Sequence, residues 1–132
     1  MIMKKIFFTL ALTLIAQITF SQTEQFRVDF NLVAFYDKDT EEWSEWQLGE
    51  NTFVLNFNDN NDIAHYKPDG SVVYYRNLGG LEVGYTKNGD RYQIVNALDE
   101  DGYQISFQLF DDITIGAKLI WANFTVQFSH YE

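Results

Sequence analysis

The stretch RYQIVNALDEDGYQISFQLF, residues 91–110, decides the fold. In its second half Tyr103, Ile105, Phe107 and Leu109 share one face, while Gln104, Ser106 and Gln108 share the other. A period of two is the mark of a β-strand with one dry and one wet face. The first half is a second strand, and DEDG at 99–102 between them reads as a tight turn. Two neighbouring strands joined so closely make an antiparallel hairpin.

The same grammar extends both ways. Upstream, KNGD at 87–90 joins LEVGYT to RYQIVNAL, and Asn88-Gly89 is a strong hairpin signal. KPDGS at 67–71 joins DIAHY to SVVYYRNL. Nearer the start, Phe26, Val28, Phe30 and Leu32 alternate with Arg27, Asp29 and Asn31, and TFVLNF repeats the pattern with Phe53, Leu55 and Phe57. Downstream, Ile113, Ile115, Ala117 and Leu119 form one row, and Phe124, Val126 and Phe128 another. The chain's 12 Phe and 8 Tyr supply β propensity and core volume.

The expectation is an all-β fold: a small antiparallel meander of eight or nine strands, closed as a barrel. A two-sheet β-sandwich is the alternative. Closure is preferred because it removes the open edges of many aromatic strands. The longer connection at 36–51 is expected to hold one helical turn or an irregular strand. Its Trp43 and Trp46 are expected to plug one end of the core.

The first residues, MIMKKIFFTLALTLIAQITFSQ, pair Lys4 and Lys5 with an apolar run and then Thr19-Phe20-Ser21. That is the pattern of a cleaved secretory signal peptide over residues 1–21. The apolar run is shorter than a helical membrane span. A single all-β domain at 22–132, periplasmic or secreted and with no stable membrane insertion after cleavage, is the expectation. Removing Lys4 and Lys5 leaves seven basic residues against 19 acidic, a formal charge of −12. The remaining cations are scattered singly, so binding of nucleic acid is not expected. The chain has no cysteine, and its stability must come from a packed core.

Few residues look chemically poised. NFNDNNDIAHYKPDG, residues 56–70, spaces Asn56, Asn58, Asn60 and Asp62 like calcium ligands. Asn61 and Lys67 stand where an EF-hand needs glycine and glutamate. The preferred reading is therefore a turn and no cofactor, with Asn58, Asn60 and Asp62 as the ligands if calcium binds. His65 has Ser71 and Asp69 nearby, across a hairpin, a spacing that carries no special signal of a triad. Tyr66, Tyr74, Tyr75, Tyr85 and Tyr92 come from the middle of the meander, with Arg76 beside them. Val73 and Tyr75 share a face opposite Tyr74 and Arg76, so one tyrosine points into the barrel and the other out. These five tyrosines, Arg76, Trp43 and Trp46 are the candidate ligand-binding residues. The function they suggest is a non-catalytic exported domain that binds a small apolar ligand, a glycan or a protein partner. The alternatives are a structural or assembly component of the cell envelope and a small hydrolase using surface carboxylates.

Overall fold

The computed structural model describes residues 24–131; the signal peptide read at 1–21 lies outside them. The described chain forms ten strands and no helix: β1 (Phe26–Asp37), β2 (Glu42–Trp43), β3 (Gln47–Leu55), β4 (Ile63–Tyr66), β5 (Val72–Asn77), β6 (Glu82–Tyr85), β7 (Arg91–Leu98), β8 (Gln104–Phe110), β9 (Ala117–Ile120) and β10 (Phe124–Ser129). Every pairing is antiparallel, and β10 returns to pair with β1. Eight strands close a barrel; β2 and β6 are extra strands beside β1 and β7. The barrel is thus the outcome, and the sandwich is not.

The three hairpin turns at 67–71, 86–90 and 99–103 are built alike. In each, a backbone N–H bonds to the carbonyl four residues on, as Asp99 N to Tyr103 O (2.8 Å). A glycine amide then returns to the turn's first carbonyl, and Gly70, Gly89 and Gly102 all lie near φ +87°. A left-handed residue at that position ends the turn at little steric cost only when it is glycine.

Inward rows fill the barrel. Phe30, Phe53, Leu55, Ile63, Val95, Ile105, Phe107, Leu119 and Phe128 form one buried cluster. Phe53 touches both Phe107 (5.1 Å) and the edge of Phe128 (4.9 Å). Outward rows carry Arg27, Asp29, Gln104, Ser106 and Gln108.

Three sequence expectations change. Leu32 does not share the face of Phe26, Val28 and Phe30, because the register with β3 shifts between Phe30 and Leu32. An extra residue in one strand breaks the alternation beyond it, so Val33 and Phe35 turn to the side of Phe128 and Val126, with Phe35 still 44% exposed at the open end. Ile113 and Ile115 are not in a strand: Asp112 gathers Thr114 and the Ile115 and Gly116 amides into a turn. Trp43 and Trp46 plug nothing. Both are 47% exposed, and Trp43 lies 5.0 Å from Tyr36 on the outside of the barrel.

Candidate functional site

The asparagine-rich stretch is a clamp between strands. Asn56, Asp59 and Asn61 all take left-handed backbone, which asparagine and aspartate tolerate better than other side chains. Asn56 Oδ1 accepts the Asn61 amide (2.8 Å), and Asn58 Oδ1 accepts the Asn60 amide (3.1 Å). Asn58 Nδ2 donates to Asp62 Oδ2 (2.9 Å), and Asp62 Oδ1 accepts the Asn77 amide (2.8 Å). The side chains of Asn58 and Asp62 are thereby spent on tying the β3–β4 loop to the end of β5. Among the described residues no three His, Asp or Glu side chains gather as a metal-binding group.

The other end of the barrel is different. There β1 beyond its register shift, Asn51 of β3 and the turns at 67–71, 99–102 and 121–123 surround a cavity of about 560 Å³. Its walls are apolar: Val33, Val73, Leu119 and Val126. Phe35, Trp121 and Phe124 stand at its rim, the last two stacked face to face at 4.6 Å. Lys67, Asp99, Glu100 and Asp101 complete the rim.

A polar chain lies at the cavity floor. Asn51 Nδ2 donates to the Gly49 carbonyl (3.4 Å), which leaves Asn51 Oδ1 as an acceptor for His65 Nε2 at 2.8 Å. His65 Nε2 therefore carries the proton, and Nδ1 is left as the acceptor facing the Tyr75 hydroxyl at 3.4 Å. The imidazole is sandwiched against Phe53 (4.2 Å) and meets the Phe128 edge (5.4 Å). Burial, helped by the Lys67 ammonium, pushes its pKa down to about 4, so the ring is neutral near pH 7. Burial likewise raises the Tyr75 hydroxyl, with the Asp99 and Glu100 charges adding to it. Ser71, the hydroxyl nearest His65 in sequence, spends itself on Asp69 Oδ1 (2.6 Å) inside its own turn.

Among the rim carboxylates, Asp99 is held in its charged form. Burial works to raise the Asp99 pKa, but hydrogen bonds from the Trp121 indole and from the Tyr103, Asp101 and Gly102 amides outweigh it and hold it below the usual range. The indole bond, Trp121 Nε1 to Asp99 Oδ2, is 3.0 Å. Glu100 Oε1 accepts the Tyr74 amide at 3.0 Å, spanning the gap between β5 and the β7–β8 turn.

The residues singled out from sequence scatter over this surface. Tyr75 is 3% exposed and lines the cavity. Tyr74 and Arg76 point outward beside a shallow groove at the same seam, where Tyr74 packs on Phe57 (5.2 Å). Trp43 lines a separate groove with Tyr36 and Phe124. Trp46, Tyr66 and Tyr85 are exposed singly. Tyr92 covers Gly84, where any Cβ would meet its hydroxyl, and packs on Phe110 (5.5 Å); it fills a gap in the outer face. Sequence reasoning missed Asn51, Trp121, Phe35 and Phe124. The available signal was position: several lie within a residue or two of turns that a meander brings to one end. Compared with protein-family models, curated proteins and solved structures, the chain gives no significant match.

Proposed function

We propose that this domain is a non-catalytic binding module that holds one small, largely apolar ligand in the mouth of its barrel. The observation that carries the reading is the cavity itself: about 560 Å³, with aliphatic walls and a few convergent polar groups on its floor. Ligand pockets commonly run from roughly 300 to 1,000 Å³ with that mixture of lining. An eight-stranded barrel has an interior that side chains either fill or leave open for one small molecule. Here Phe53 and Phe107 fill the middle, while the mouth keeps aliphatic walls of Val33, Val73, Leu119 and Val126 under an aromatic rim.

The test uses N-phenyl-1-naphthylamine, an uncharged fluorescent probe of apolar concavity, and Val73→Phe to occupy the space. Val73 lines the cavity and is half-buried on β5, where an aromatic side chain suits a strand. The expected result is one probe bound per chain, lost at least tenfold in Val73→Phe with the melting temperature unchanged or raised. Equal binding by the variant would remove the mouth as the site.

A further inference from the structure

We infer that the ligand of the mouth is an apolar amine, held through a donated hydrogen bond to the Tyr75 hydroxyl oxygen and by the acidic rim. This rests on the reading of the mouth as a binding site and adds the chemistry of what enters it.

The first support is the direction of the polar chain on the floor. Each proton in it points the same way: Asn51 donates to Gly49, His65 to Asn51, and Tyr75 to His65. Asn51 Oδ1 has no proton to give, so His65 Nε2 must donate and Nδ1 must accept. The Tyr75 hydroxyl has one proton, and Nδ1 takes it. What Tyr75 offers a ligand is therefore lone pairs, and only a donor satisfies them. A ligand that brings a carboxylate or carbonyl to this oxygen would need the Tyr75 proton and would leave buried Nδ1 without a partner. Stranding a buried acceptor carries its full desolvation penalty.

The second support is charge. Asp99, Glu100 and Asp101 come from one turn and face the cavity, against Lys67 as the cation among its lining residues. Asp99 and Glu100 lie close enough to act on the Tyr75 hydroxyl. They thus bear on the same point that the hydrogen-bond chain marks as an acceptor. A protonated amine answers both, an alcohol answers the first, and a carboxylate answers neither. Asp99 is also fixed by the indole of Trp121, so its charge is in place before a ligand arrives.

Titration calorimetry of the purified protein at pH 7 with 1-naphthylmethylamine, 1-naphthalenemethanol and 1-naphthoate separates the possibilities. The three share an aromatic body and differ in the polar group. The amine is expected to bind at least tenfold more tightly than the carboxylate, with the alcohol between them. Tyr75→Phe keeps the ring and its packing, and should lower affinity for amine and alcohol alike. Glu100→Gln with Asp101→Asn should weaken only the amine, and added salt should do the same. Equal binding of all three leaves the mouth as a site and overturns the amine. Preference for the carboxylate also overturns it. If none of the three binds, the cavity reading falls together with the inference. An amine preference unchanged in Tyr75→Phe would overturn the role of that hydroxyl.

Discussion

Gly116 and His65 carry constraints that a single substitution can expose. Gly116 has φ +82°, and a Cβ there would run into the backbone carbonyl of Phe128. Both the left-handed backbone and the close approach forbid a side chain, so Gly116→Ala should destabilise by more than about 1 kcal/mol. Calorimetry should register a fall of at least ~4 °C in melting temperature; an unchanged value would mean the β8–β9 turn can rearrange freely. His65 is the acid-sensitive group of the interior. Its pKa falls from 6.5 to about 4 on folding, so below pH 6.5 the unfolded chain takes up a proton that the folded chain refuses. Stability should decline as pH drops from about 6.5 to about 4, by on the order of 3 kcal/mol in all, and this contribution then levels off. Denaturant melts of His65→Gln across that window should lose most of the slope. The same slope in the variant would assign the acid sensitivity to other groups.

At the scale of elements, the strands were legible because alternation and turn chemistry agree over short distances. KNGD and DEDG each fix a hairpin by one glycine, and the flanking rows of β7 and β8 follow without ambiguity. What escaped was each place where the period is broken by a long-range partner. The register shift between β1 and β3 has no signal in FRVDFNLVAF, because the extra residue lies on the partner, where Gly49 and Glu50 stand opposite Asn31. The apolar run at 113–119 looked uniform, yet Asp112 captures its first half as a turn. The candidate site was legible only at Tyr75, whose inward choice was one of two. His65 as part of a polar chain was not readable, because Asn51 lies fourteen residues away on the neighbouring strand. The pairings also differ in extent. β7 and β8 pair over seven positions, whereas β5 and β7 pair over Arg76 and Asn77 alone. Hydrogen exchange followed by mass spectrometry should show residues 72–78 opening well before residues 104–110. Equal protection would show that the barrel opens only as a whole.

The whole molecule divides its interior by function along the axis. Aromatic side chains close the middle, an asparagine-aspartate network ties down one end, and aliphatic residues with one polar chain are left at the other. A fold of this size has little core to spare, since a domain of about a hundred residues is held by only a few kcal/mol of net stability. Leaving roughly 560 Å³ unfilled at the mouth forgoes packing that larger side chains at Val33, Val73 or Val126 would supply. That sacrifice is the strongest whole-molecule argument for the proposed occupant, whose apolar body would add to the contacts of the core.

The pairing of β1 with β10 also has a temporal meaning. Leu32 meets Ser129 and Asp37 meets Phe124, so the last seam joins segments almost a full domain apart along the polypeptide, whereas the hairpins join near neighbours. Loop-closure entropy makes such a contact late and slow relative to them. During synthesis, the flank of β1 that awaits its mate stays uncovered until the final strand has emerged. That interval is when a chain so rich in phenylalanine is most open to pairing with another copy of itself.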